Sequence, residues 1–155
     1  FPVKGEARWH LVISHKKRIE VNRACMLRDK PDDAEFYPKQ SDTGSYTETQ
    51  DMFLWVGSSV YGCCGVPYKG IRNACLYEVT QVGEETMLKG IDKKFSKAEV
   101  SKYMRPSYAK TIASSQGATL DGLVEILEVD HPAMTRNALY MALGRARGME
   151  WLQVP

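Results

Sequence analysis

A chain of 155 residues, 43% apolar and 26% charged, has the make-up of one compact globular domain with room for a small insertion. A net charge of only +2 gives no argument for nucleic acid from bulk charge, so any phosphate-binding face must come from the placement of cations. Cys25, Cys63, Cys64 and Cys75 include no CxxC pair, which points to reduced intracellular thiols and away from a zinc site. The chain opens at Phe1 without a methionine, so it reads as a processed product, a fragment or the ordered part of something longer. No charged-then-apolar signal peptide is visible within it, and its richest apolar stretch, Met52 to Tyr68, is broken by Gly57, Gly62, Gly65 and Pro67. A soluble intracellular protein of nucleus or cytoplasm, neither secreted nor bound to a membrane, is the expectation.

In chain order, Trp9 to Ser14 (WHLVIS) is a short apolar run that fits a buried parallel strand. His15 to Arg28 places Ile19, Ala24 and Leu27 among charges and reads as an amphipathic helix, so the chain starts as an α/β unit. Lys30-Pro31 ends that helix, and Asp29 to Thr49 reads as a loop. From Met52 to Val82, short β-type runs alternate with glycines, with a further strand predicted between Glu84 and Leu88. This pattern suggests a small antiparallel barrel inserted into the α/β domain. Ser96 is placed to cap a short helix through Tyr103, with Glu99 at the capping-box position. Tyr108 to Ile112 then predicts a strand, Ala113 to Gly117 a turn, and Leu123 to Val129 another strand. A helix over Thr135 to Arg145, with an apolar stripe of Leu139, Ala142 and Leu143, and a last strand over Met149 to Val154 complete the pattern.

A phosphate-cradling P-loop is missing. Of two GxxxxG frames, Gly57–Gly62 is followed by Cys63-Cys64 and Gly65–Gly70 by Ile71-Arg72, so neither supplies the Lys-Ser/Thr that the chemistry requires. The acidic cluster Asp32-Asp33-Ala34-Glu35 lacks the preceding apolar strand that would hold a magnesium-binding aspartate.

The last third is richer. Tyr108-Ala109-Lys110-Thr111-Ile112-Ala113-Ser114-Ser115-Gln116-Gly117-Ala118-Thr119-Leu120-Asp121 resembles helicase motif V, and Leu139-Tyr140-Met141-Ala142-Leu143-Gly144-Arg145-Ala146-Arg147 resembles motif VI. This order and spacing resemble the superfamily-one helicases, and within them the RecD-like branch. There the second RecA-like domain carries a small SH3-like barrel before motif V. Leu11-Val12-Ile13-Ser14-His15, with Asn22 in the next helix, resembles the surroundings of motif IV. Lys69-Gly70-Ile71-Arg72-Asn73-Ala74 is similar to the Gly-x-x-Asn-Gly turn of the inserted barrel.

The resemblance implies an α/β fold: a RecA-like parallel sheet flanked by helices and interrupted by the barrel. The expected boundaries are residues 1–49 for the first part of the RecA-like domain, 50–92 for the insertion and 93–155 for the rest. It also implies an ATP-dependent helicase whose ATP and Mg are held mainly by an N-terminal P-loop domain, in the same polypeptide or another. By itself this chain should be inactive. Its partner would be single-stranded nucleic acid, DNA favoured over RNA, moved in the five-prime to three-prime direction.

By the same resemblance, Arg145 is the candidate arginine finger. A guanidinium is always charged and donates bidentately to phosphate oxygens, and it can reach the γ-phosphoryl group from outside the P-loop domain. Arg147 is its neighbouring alternative. Gln116 and Gly117 join Arg145 as nucleotide-binding candidates, and Ser14, His15, Thr111, Ser114 and Ser115 are the nucleic-acid candidates, because hydroxyls and amides near strand ends can contact phosphates. The sequence departs from the family pattern in three places. Ala113-Ser114 stands where many members have His-Lys, Gly144 replaces a serine, and Ala74 replaces a glycine. The Ala-Ser-Ser-Gln-Gly form is similar to helicases of some viruses. The rival readings are a helicase-derived stand-alone module that binds nucleic acid or protein without catalysis, and an unrelated α/β interaction scaffold. His10, His15 and His131 suggest no metal site, Trp55, Tyr61, Tyr68 and Tyr77 suit a barrel core better than base stacking, and Lys16-Lys17-Arg18 reads equally as a backbone contact or a solvated helix face.

Overall fold

The structure is a computed structural model that describes residues 7–40, 49–115, 120, 122–148 and 151–154. Its elements are β1 (Trp9–Val12), α1 (His15–Asp29), β2 (Glu35–Tyr37), β3 (Met52–Leu54), β4 (Ser59–Gly62), β5 (Leu76–Gln81) and β6 (Met87–Leu88). They continue through α2 (Lys97–Tyr103), β7 (Met104–Pro106), β8 (Ala109–Thr111), the 3-10 turn Ala113–Ser115, β9 (Val124–Ile126), α3 (Arg136–Leu143) and β10 (Leu152–Gln153). The chain divides into two compact units, Phe1–Asn22 with Tyr108–Pro155, and Arg23–Ser107.

The first unit is built on a four-stranded sheet of order β10-β9-β1-β8 whose pairings are all parallel. In the register, Trp9 lies beside Val124, and Leu11 beside Lys110 and Ile126. Side chains alternate across a strand, so this face carries Trp9, Leu11, Val124, Ile126 and Leu152. These residues join Ile112, Leu120 and Ala142 in one buried core. The opposite face carries a polar row. Glu125 lies between His10, whose Nε2 is 3.7 Å from its Oε1, and Gln153, whose Nε2 donates to its Oε2 at 3.1 Å. Asn22 of α1 satisfies the start of β8. Its Oδ1 accepts from the Tyr108 and Ala109 amides at 3.2 and 2.8 Å, and its Nδ2 donates to the Ala109 carbonyl at 3.4 Å. This accounts for a fully buried asparagine, since buried polar groups must be paired. Helix α3 starts one residue later than the sequence suggests, because Thr135 is its N-cap and accepts from the Ala138 amide at 3.1 Å. It ends at Gly144.

The second unit holds an antiparallel ribbon, β2-β3, and a four-stranded sheet of order β6-β5-β4-β7. Among the described residues no ladder joins the two. Strand β2 falls inside the segment that the sequence reading treats as a loop. Its register sets Glu35 against Leu54, Phe36 against Phe53 and Tyr37 against Met52. A pairing across the intervening chain decides this, and the Tyr37 hydroxyl reaches Thr86 Oγ1 at 2.7 Å with both residues fully buried. The unit spans 23–107, wider than the 50–92 assigned to the insertion. Ala74, at the position where the barrel turn of the family holds glycine, has φ 64 and therefore carries a Cβ in the left-handed region.

The capping box on α2 forms as the sequence suggests, with the Glu99 amide donating to Ser96 Oγ and the Ser96 amide to Glu99 Oε1 at 3.2 and 3.0 Å. Beyond that box, Glu99 accepts from the Tyr68 hydroxyl and pairs with Lys69 Nζ at 2.9 Å. Burial pushes its carboxyl up, but the Ser96 amide, the Tyr68 hydroxyl and the Lys69 ammonium outweigh burial and hold it at about 2, against an ordinary 4.5. A depressed carboxyl contributes stability above its unfolded value and loses it as pH falls through the folded value. Stability should therefore drop between pH 4.5 and about 2. Glu99→Gln should flatten that part of the stability profile, as urea unfolding across this pH window would show.

Candidate functional site

All the residues singled out for nucleotide or nucleic acid belong to the first unit, apart from two that fall outside the described residues, Gln116 and Gly117. The turn after β8 is closed by its own side chains. The Ser114 amide donates to Thr111 Oγ1 at 3.2 Å, and the Ser114 hydroxyl donates to the Thr111 carbonyl at 3.0 Å. Ser115 donates twice to the Ile112 carbonyl, from its hydroxyl at 2.8 Å and its amide at 3.2 Å. Serine and threonine favour such turns because their hydroxyls reach nearby backbone groups. The result separates the candidates. Ser114 is exposed, whereas Thr111 is buried and Ser115 has 0% exposure. The Ser115 hydroxyl, a candidate strand contact, is turned inward and donates to the Ile112 carbonyl.

Arg145 follows the end of α3 and is half-buried. Its Nε donates to the Met141 carbonyl at 3.0 Å and its Nη1 to the Ser115 carbonyl at 3.4 Å. Its main chain is tied to the same region, because the Leu120 amide donates to the Arg145 carbonyl at 2.7 Å and Leu120 bridges Ala146 in parallel. The guanidinium therefore lies beside the Ser-Ser turn that the sequence pairs with it, not on a remote face. Arg147 is exposed and two residues further on.

Just past the C-terminal end of β1, Ser14 and His15 sit at the start of α1, where the Lys17 amide donates to Ser14 Oγ at 3.1 Å as an N-cap. Sequence reasoning missed their neighbour Glu128. Its Oε1 accepts from the Ile13 amide at 3.1 Å and the Ser14 amide at 3.0 Å, and the Ser14 hydroxyl donates to Oε2 at 3.1 Å. Glu128 has φ 58, a conformation costly for a side chain with a Cβ, which this set of hydrogen bonds offsets. Nothing in the local sequence signals that conformation. Glu128→Ala should cost about 1–3 kcal/mol through the unpaired donors it leaves. Chemical denaturation of the chain would measure the loss, and an unchanged midpoint would mean that the carboxylate is incidental.

Among the described residues, no His, Cys, Asp or Glu side chains converge in a group of three or more that could hold a metal ion. Among them, too, no helix is long and apolar enough to cross a membrane.

No family model and no curated protein matches the chain. Solved structures do match. The crystal structure of Bacteroides Pif1 bound to single-stranded DNA is 20% identical over 94% of this chain, with a TM-score of 0.67. The fold is that of Pif1 helicase structures. A second Bacteroides Pif1 structure, in complex with ADP-AlF3 and single-stranded DNA, matches at 21% identity over 94% of this chain, with a TM-score of 0.60. Pif1 helicase from Candida albicans matches at 15% identity over 99% of this chain, with a TM-score of 0.57. The chain spans only 39%, 40% and 46% of those Pif1 chains. The mixed α/β architecture with a parallel sheet and flanking helices is thus the RecA-like arrangement that the motifs implied.

Proposed function

We propose that this chain is the C-terminal RecA-like portion of an ATP-dependent nucleic-acid helicase and that Arg145 is its arginine finger. The observation that carries the proposal is the position of the Arg145 guanidinium, 3.4 Å from the carbonyl of Ser115 at the end of the motif V-like turn. A guanidinium held by two carbonyls keeps further N–H donors for an oxyanion, and its charge does not depend on pH in the working range. In this reading ATP and Mg are bound by a P-loop domain in the same polypeptide or another. Gln116, Gly117 and Arg145 meet the nucleotide, and Ser114 and His15 meet the phosphates of single-stranded DNA. Ser14 takes part only if Glu128 yields its hydroxyl, and Thr111 supports Ser114 from below. In this reading residues 50–92, within the second unit, are the SH3-like insertion of the RecD-like branch.

The likeness in fold to Pif1 structures that hold single-stranded DNA and a nucleotide analogue supports this reading, as does the lack of a P-loop sequence in the chain. The test is ATP hydrolysis by the chain alone and by a polypeptide joining it to a P-loop domain, each with and without single-stranded DNA. Turnover should require both domains and should rise with the strand. Hydrolysis by the chain alone would overturn the division of labour.

A further inference from the structure

We infer that Ser115 and Thr111 are positioning residues for Arg145 and not contacts for the nucleic-acid strand. The inference deepens the reading above and rests on it for the catalytic role of Arg145. Ser115 has 0% exposure and Thr111 has 5%. Both hydroxyls are used inside the turn, one donating to the Ile112 carbonyl and the other accepting from the Ser114 amide. The Ser115 hydroxyl could donate to a phosphate only by giving up the Ile112 carbonyl, and the Thr111 hydroxyl lies below the surface of the turn that it closes. The turn presents a main-chain acceptor instead, the Ser115 carbonyl, and Arg145 Nη1 rests on it while Nε rests on the Met141 carbonyl.

A long, flexible side chain is thereby held at two points, one on its own helix and one on the turn after β8. Without the second point the guanidinium keeps only a local tether and samples other rotamers, which matters because catalytic groups lose rate when displaced by about 1 Å. The backbone of Arg145 adds a further tie, since its carbonyl receives the Leu120 amide. Arg145 therefore contacts the described residues on both sides of 116–119, the segment that contains Gln116 and Gly117. The hydroxyls of Thr111 and Ser115 thus act through Arg145, by fixing where the Ser115 carbonyl stands.

The test compares Thr111→Val and Ser115→Ala with Thr111→Ser, which keeps the hydroxyl and serves as the rescue. In the chain alone, exchange of the Arg145 Nε–H followed by nitrogen-15 NMR should speed up in the first two and stay near wild type in the third. In the polypeptide joined to a P-loop domain, kcat should fall roughly tenfold or more in the first two. KM for ATP and affinity for single-stranded DNA should stay within about twofold there, and Thr111→Ser should restore kcat. Circular dichroism separates this from misfolding. Slower strand binding with unchanged Nε–H exchange and unchanged kcat would overturn the inference. Were the joined wild-type enzyme to show no turnover at all, the helicase reading would fail, while the exchange measurement would still decide whether the turn holds Arg145.

Discussion

Replacing Arg145 with alanine in the two-domain enzyme is expected to lower ATP hydrolysis by about 10³-fold or more, while affinity for single-stranded nucleic acid stays close to wild type. A factor of that size corresponds to about 4 kcal/mol of transition-state stabilisation. In the proposed role the guanidinium meets charge that develops only as the γ-phosphoryl group transfers, which is why one residue carries so large a factor. The expectation depends on where Arg145 sits. Its Nη1 contacts Ser115 and its Nε contacts Met141, so the guanidinium is held beside the turn. Arg145→Lys is predicted to recover only part of the rate, since an ammonium keeps the charge but cannot use the Nε and Nη positions together. Steady-state turnover and strand affinity measured on the same samples check both statements. Abolished binding with intact turnover would make Arg145 a strand contact and not a finger.

The second large effect concerns the platform. Leu11 lies in the central strand of the parallel sheet, between β8 and β9, with 0% exposure. Its carbonyl receives the Leu127 amide at 2.9 Å, and its side chain belongs to the cluster of Trp9, Val124, Ile126 and Leu152. Leu11→Ala removes buried methyl groups from a position that cannot collapse without moving two neighbouring strands, so it should cost about 2–5 kcal/mol. Against a total stability of about 5–15 kcal/mol, that is enough to threaten the folded state at physiological temperature. Urea unfolding followed by circular dichroism measures the shift. A loss below about 1 kcal/mol would mean that the sheet is packed more loosely than its burial indicates.

Much of this was legible in the sequence because several signals are local. WHLV is apolar enough to be buried on both faces, and β1 forms there. Ser96 and Glu99 stand three apart and make the capping box. The pairing of a Ser-Ser turn with an arginine about thirty residues later came from resemblance, and the fold brings the two into contact. What stayed hidden depends on partners distant in sequence. EFY in a polar loop becomes β2 only because Met52–Leu54 pairs with it. Glu128 adopts a positive φ because Ile13 and Ser14, more than a hundred residues earlier, supply donors. Thr111, Ser114 and Ser115 are equivalent as hydroxyl bearers in the sequence. Only the turn decides that one faces solvent and two face inward.

The most direct test of the account is the affinity of the two-domain enzyme for ADP with aluminium fluoride, a mimic of the transferring phosphoryl group, compared with its affinity for ADP alone. A finger contributes only where the third phosphoryl group stands. Arg145→Ala should therefore weaken binding of the mimic by at least about a hundredfold and leave ADP binding unchanged. Equal losses for both ligands, or no loss for either, would contradict the role assigned to Arg145.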